Sequence, residues 1–355
     1  MKPQYFLILI GAITLYFLIE LFHPFLKAMS VALLLAVATN TLSINVSTKI
    51  KNKFLSSTLM TIILTFVFFI PLLYCVFSFA TLINNIDQQA LSKMLTKFES
   101  WVALLPNDFL IIKEQLMDAI SKINIKEFIE SLLSFGAYLG KNSAKFIIDM
   151  VMILIFYFFF NFYSLQLSSY LKGLLPLKKE DASVLFIESS TVMSVVLYSV
   201  LATAILEGFL FGIFITFFGY DGILLGVLYG FASLIPVVGG LIMWLPMALY
   251  EGFTVSPANG LIIAIYSVVV IAILADTFVK PVIIKYINLK VVKTKANINE
   301  LLIFFSIIAG LSTFGFWGMI IGPAMVSFFI SIVQLLKKFS VDSKIKDINS
   351  LDSTV

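Results

Sequence analysis

Apolar runs long enough to cross a bilayer recur along this chain, and few folds can hold them. Six can be read: about Tyr5 to Phe22, Phe25 to Ile44, Ser57 to Ile83, Ser143 to Tyr163, Ser194 to Phe218 and Asn259 to Thr277. A hydrocarbon core of about 30 Å takes about 20 helical residues. Lipid offers no partner to backbone polar groups, so only helices and closed barrels cross it. These runs lack the short alternating pattern of barrel strands. Composition agrees, with 60% hydrophobic and 12% charged residues in 355, too apolar for a soluble domain of this length. The first run lacks a small-residue cleavage site and a second follows at once, so it reads as a retained span rather than a signal peptide.

Charge orients the spans. All basic residues are Lys, so no bidentate Arg clamp for phosphate or carboxylate is available. His23-Pro24 reads as the turn between the first two spans. Lys49, Lys51 and Lys53 follow with no acid near them, which places their loop and the N-terminus in the cytoplasm. Pro71 is expected to kink the third span. Asn84 to Asn142 is nearly neutral, and its apolar residues, Ile86 to Leu105 and Phe109 to Ile123, recur at helical spacing. It reads as amphipathic helices outside the bilayer or on its outer surface, packed on the spans or on a neighbouring subunit.

Two further apolar stretches are broken near their centres. Gly222 to Tyr250 carries Pro236-Val237-Val238-Gly239-Gly240, and Leu301 to Leu336 carries Gly310, Gly315, Gly318 and Pro323. As one helix, the first would be roughly 43 Å long, ample to cross; as two arms, each would be about 20 Å. Charge decides. Lys280, Lys285, Lys290, Lys293 and Lys295 precede the next acid, Glu300. They fall on the side of Lys49 to Lys53 only if Gly222 to Tyr250 enters and leaves on one side. By the same count, Leu301 to Leu336 must return so that Lys337, Lys338, Lys344 and Lys346 are cytoplasmic. The expected fold is all-α and polytopic, with about eight membrane segments: six full spans plus two inverted re-entrant hairpins. Expected divisions are 1–83 (three spans), 84–142 (amphipathic segment), 143–193 (a span and cytoplasmic connection), 194–336 (transport core) and 337–355 (cytoplasmic tail). Broken elements in matching positions of inverted units mark a transporter's binding site.

Candidate site residues follow from this layout. At the tips, Pro236, Val237, Gly239 and Gly240 in one hairpin and Gly310, Ser312, Thr313 and Gly315 in the other offer freed carbonyls and hydroxyls to a polar solute, or else serve only as packing breaks. Ionisable groups within spans are costly and so are functional candidates. Glu207, beside the small pair Gly208 and Gly212, suits a proton or cation; Asp276 either does the same or pairs with Lys280; Glu300 suits a helix start. Asp221 and Glu251 read as solvated carboxylates at outer turns. Single residues His23 and Cys75 cannot build a metal site, and Trp244 and Trp317 read as packing. No phosphate-binding Gly-x-x-x-x-Gly-Lys-Ser/Thr occurs. No cofactor, metal or nucleic acid is expected, nor an enzyme's converging catalytic set.

The order Glu207-Gly208, Pro236-Val237-Val238-Gly239 with Pro246, Asp276 to Pro281, Ala309-Gly310, Gly315, Gly318 and Pro323 resembles the autoinducer-2 exporter family of bacterial membrane proteins. Asn299-Glu300 stands where that family often has His-Pro, and Leu311 where a second glycine is usual. The resemblance implies a secondary transporter or exporter in the bacterial inner membrane, homo-oligomeric, with a pentamer as one arrangement. It implies a small polar solute such as autoinducer-2 for some members and sodium–proton antiport for others. Three readings therefore stand: a small-solute exporter working by alternating access, a sodium–proton antiporter using Glu207 or Asp276, and a non-transporting membrane scaffold acting through the amphipathic segment.

Overall fold

The computed structural model describes residues 3–84, 88–104, 106, 110–121, 125–174, 176, 179–235, 238–287, 289 and 300–352. Among these, every regular element is helical, as an apolar chain without barrel patterning requires. Five helices are long and apolar enough to cross a membrane: Tyr5–Ala38, Lys53–Ser78, Ala144–Phe162, Glu180–Thr216 and Pro257–Tyr286. Three shorter apolar helices, Gly222–Ala232, Leu301–Phe314 and Gly318–Gln334, fall within the two broken stretches.

The first two expected spans are in fact one helix. α1 (Pro3–Ala38) runs unbroken with Pro24 inside it. The sequence on both sides of Pro24 is apolar and holds no glycine that would favour a reversal. Proline is tolerated in a membrane helix where neighbours re-satisfy the backbone group it frees. The expected turn at His23-Pro24 is thus replaced by continuous helix, and with it the premise that returned the N-terminus to the side of Lys49. The chain breaks instead at Thr39, before α2 (Asn40–Lys49).

The remaining elements follow in order. They are α3 (Lys53–Leu64), a π-helical turn (Thr65–Phe69) and α4 (Ile70–Asn84); then α5 (Gln88–Ala103), α6 (Leu110–Ser121), α7 (Ile125–Phe162), α8 (Ser164–Leu174) and α9 (Lys179–Thr216); then α10 (Gly222–Ala232), α11 (Gly239–Thr254) and α12 (Pro257–Tyr266). A π-helical stretch (Ser267–Val279) leads into α13 (Lys280–Tyr286). α14 (Glu300–Phe314), a 3₁₀ turn (Gly315–Trp317) and α15 (Gly318–Asp352) close the chain. The irregularity expected at Pro71 is the π turn just before it, and α3 is capped by Asn52, whose Oδ1 accepts from the N–H groups of Phe54 and Leu55. The amphipathic segment is helical as expected, and α7 carries it without a break into a long apolar span.

The helices form two compact units. One comprises Met1–Thr65, Ile147–Leu197 and Lys290–Val355. In it the end of α1 is held by α9 and α7. Ser190 Oγ donates to the Val37 carbonyl at 2.9 Å and Ser194 Oγ to the Ala38 carbonyl at 2.5 Å. The Thr39 and Tyr157 hydroxyls share a hydrogen bond of 2.8 Å. Helix ends need partners for their last carbonyls, and buried serines supply them here. Ala38, Met193 and Ala324 pack at the same place. The other unit comprises Phe66–Phe146 and Tyr198–Leu289. Its core is Phe211, Ile215, Leu225, Tyr229, Ala248, Ile263 and Ile271, drawn from α9 to α12 and the π stretch. Within it α5 packs on α11, with Phe98 edge-on to Phe253 at 5.3 Å.

Candidate functional site: two helical hairpins

One of the two broken apolar stretches lies in each unit. In the second unit, α9 ends at Thr216 and the chain turns through Gly219, whose φ of 84° suits glycine alone among common residues. Asp221 then caps α10, its Oδ1 accepting from the N–H groups of Ile223 and Leu224, both at 3.0 Å. α10 lies back along α9 at backbone contact. A Cβ on Gly226 would fall 2.6 Å from the Gly208 carbonyl oxygen, and one on Gly212 would fall 2.5 Å from that of Gly222. The expected small pair Gly208 and Gly212 therefore does admit a close helix, and its partner is the Gly222, Gly226, Gly230 series of α10.

α10 and α11 then form the hairpin's two arms. At the tip, Gly239 packs on the Ala232 carbonyl and Gly240 on the Tyr229 hydroxyl. Pro236 and Val237, two of the expected tip residues, lie outside the described residues. At the mouth, Tyr220 and Glu251 meet: Tyr220 Oη donates to Glu251 Oε1 at 2.6 Å. The residue that precedes the first arm's cap thus touches the second arm near its last turn, so the chain leaves where it entered. With 11 and 16 residues, the arms are about 16 and 24 Å long at 1.5 Å per residue, both short of a 30 Å core.

Glu251 corrects the sequence reading. It is only 4% exposed rather than solvated. Its second oxygen, Oε2, accepts from Asn259 Nδ2 of α12 at 2.9 Å. Burial, and then the neighbouring Glu251 carboxylate, push the Tyr220 hydroxyl above its ordinary range, so it stays protonated and stays a donor. The pattern was hard to find in sequence because three elements supply it and Glu251 stands beside Gly252 near a turn. Asp221 is exposed, as expected, and acts as the cap.

A cavity of about 620 Å³ lies over the α9–α10 contact. Val67, Phe68 and Pro71 wall it opposite the glycines, and Thr216, Tyr220 and Asp221 are its polar residues. Its size is in the range of small-ligand pockets. Glu207, Gly239 and Gly240 are not among its lining residues. Glu207 is 7% exposed on α9. Asp276 lies on the π-helical stretch and Glu300 opens α14, as a helix-start residue should; the side chains of both fall outside the described residues.

The hairpin of the first unit is tighter. α14 and α15 are joined by the 3₁₀ turn, where Gly315 has a φ of 65°. Gly310 faces Gly318, and Gly322 faces Ser306, at backbone contact. Gly310 is thus enclosed between the arms, whereas Ser312, Thr313 and Gly315 are exposed at the tip. Ser312 Oγ donates to the Ala309 carbonyl at 2.9 Å, which leaves its lone pairs outward. Trp317 is buried in this turn and Trp244 packs on the core of the second unit, the packing roles expected of them.

Comparison with known proteins identifies the family. The model of the AI-2E family transporter matches residues 5–338. The chain belongs to the AI-2E transporter family. A Helicobacter pylori protein of strain 26695, described as "Putative transport protein", is 35% identical over 346 residues, covering 98% of this chain and 99% of its own. Its counterpart in strain J99, under the same description, is 34% identical over the same length. A Treponema pallidum protein so described is 28% identical over 228 residues, 61% of this chain and 54% of its own. Family and architecture together make this AI-2E member a membrane transporter.

Proposed function

We propose that the chain is a secondary transporter that exports a small polar solute by alternating access, with the α10–α11 and α14–α15 hairpins as its gates. The observation that carries this is the pair of hairpins themselves. Their short apolar arms reverse inside sequence that would otherwise cross the membrane, and irregular backbone at that depth is tolerated only beside protein or water. In transporters such breaks serve the substrate. The exposed tip of Ser312, Thr313 and Gly315, with Pro236, Val237, Gly239 and Gly240 in the other hairpin, supplies hydroxyls and backbone groups that suit a neutral, hydroxyl-rich molecule. A furanosyl signal of the autoinducer-2 type is the first solute to try. The chain sits in the bacterial cytoplasmic membrane as a homo-oligomer, with the lysine-rich segment after Lys280 and the C-terminal helix facing the cytoplasm.

A second reading, sodium–proton antiport, draws on the burial of Glu207 in an apolar helix, because a carboxylate so placed is costly unless it binds a proton or cation. Flux measurements in proteoliposomes separate the two. Autoinducer-2 flux under imposed sodium or pH gradients supports export, and sodium-driven proton movement without solute supports antiport. Glu207→Gln abolishes antiport if that carboxyl carries the proton, and leaves neutral-solute flux within a few-fold of wild type. Absence of any flux under every gradient would sink both readings.

A further inference from the structure

We propose that Glu251 is a proton-binding site that controls the mouth of the α10–α11 hairpin: ionised, it holds the mouth shut, and protonated, it releases it. The geometry is specific. Both carboxylate oxygens are engaged, Oε1 by Tyr220 Oη at 2.6 Å and Oε2 by Asn259 Nδ2 at 2.9 Å. The three residues come from three elements: the α9–α10 turn, the last turns of α11 and the first turn of α12. One buried side chain therefore ties the hairpin's entry to its exit and to the helix that follows.

Proton binding changes what this arrangement can do. An ionised carboxylate only accepts hydrogen bonds, and both partners here donate. Once protonated, one of its oxygens carries a hydrogen and faces a group that is already donating. Either Tyr220 must turn its hydroxyl hydrogen elsewhere and accept instead, or Asn259 must turn its amide. Both bonds then lose their charge assistance, which is about half their strength. The charged and titratable groups described on the elements packed against α11 are few: on α10 Tyr229, whose hydroxyl lies at Gly240 at the hairpin's tip, and on the π-helical stretch Asp276, whose side chain falls outside the described residues. On the α9–α10 turn, Asp221 is exposed and committed to capping α10. On α11 the neighbour is Tyr250, and on α12 the only titratable residue is Tyr266, whose hydroxyl donates to the Leu210 carbonyl at 3.1 Å. On α5, which packs against α11, Lys93, Lys97 and Glu99 are exposed. Tyr220 keeps its own proton because burial and the adjacent carboxylate hold it on.

The inference rests on the transport reading for its purpose, but its test needs no substrate. Hydrogen–deuterium exchange of the full-length protein in lipid nanodiscs is followed across pH, with the chemical pH dependence of exchange divided out. Peptides covering residues 217–232 and 247–262 are expected to lose protection in one transition as the pH falls, while peptides of α14 and α15 do not. Glu251→Gln, which cannot ionise, is expected to be poorly protected at every pH. Tyr220→Phe removes one bond to the ionised form, so its transition moves to higher pH. It also serves as the second variant should the Gln protein fold poorly. A wild-type protein without the transition, or a Glu251→Gln protein that keeps it, overturns the proposal. Failure of flux with the transition intact would instead overturn transport and leave this site standing.

Discussion

Asp221 shows how much one side chain can decide in an apolar chain. α10 begins only one residue after it, in sequence whose own helix signals are weak: Gly222, Gly226 and Gly230 are poor helix formers, each costing up to about 1 kcal/mol against alanine. The two N–H groups that Asp221 accepts from, those of Ile223 and Leu224, would otherwise be unsatisfied at the start of the helix. Asp221→Ala is expected to destabilise the protein by about 1 kcal/mol, read as a lower thermal midpoint in detergent. Asp221→Asn keeps an accepting oxygen and should restore most of the loss. If the alanine and asparagine proteins melt alike, the cap contributes nothing. Glu251 stands at the opposite extreme. No local rule marks it, since its partners lie 31 and 8 residues away in sequence and only the closed hairpin brings them together.

At the scale of elements, glycine spacing sets which helices touch. The four-residue period of Gly222, Gly226 and Gly230 matches that of Ala204, Gly208 and Gly212 across the α9–α10 contact. Gly226→Ala places a methyl against the Gly208 backbone, which cannot give as a flexible side chain would. It is expected to cost about 1 to 3 kcal/mol by overpacking. Gly173→Ala is the internal control: nothing lies within 4 Å of the added methyl on α8, so it should be neutral or stabilising by up to about 1 kcal/mol. Equal melting temperatures for the two variants would remove the glycine contact from the account of the hairpin. Much of this level was legible beforehand. The pair Gly208 and Gly212 announced a close helix. What was not legible was Pro24: a proline between apolar runs is compatible with a turn or with unbroken helix, and local sequence does not choose. Nor was the break at Thr39 legible, because the serines that satisfy it sit on α9, some 150 residues away.

For the whole molecule, the hairpins and the lysines constrain each other. α9 is 38 residues long, ample for a crossing, and the helix from Pro257 to Tyr286 is another crossing by length and composition. Between them, if α10 and α11 form the proposed re-entrant hairpin, they add no net crossing. With Lys49, Lys51 and Lys53 in the cytoplasm, α3–α4 runs outward, the apolar part of α7 inward, α9 outward, and the helix from Pro257 inward again. On the proposed topology, Lys285 is expected to face the cytoplasm, as the positive-inside rule favours. By the same proposal α14 and α15 also re-enter, and Lys337 is expected on the cytoplasmic side. Were α10–α11 a single crossing, every one of these groups from Lys285 onward would face out. Lys285 is exposed near the end of α13, so a cysteine there is reachable once the buried Cys75 has been changed to serine. In intact cells, Lys285→Cys should resist a membrane-impermeant maleimide and react fully only after permeabilisation. Asp221→Cys, exposed at the hairpin's mouth, should react in intact cells. Labelling of both from outside would show that the hairpin spans the membrane once, and the paired-gate mechanism would fall with it.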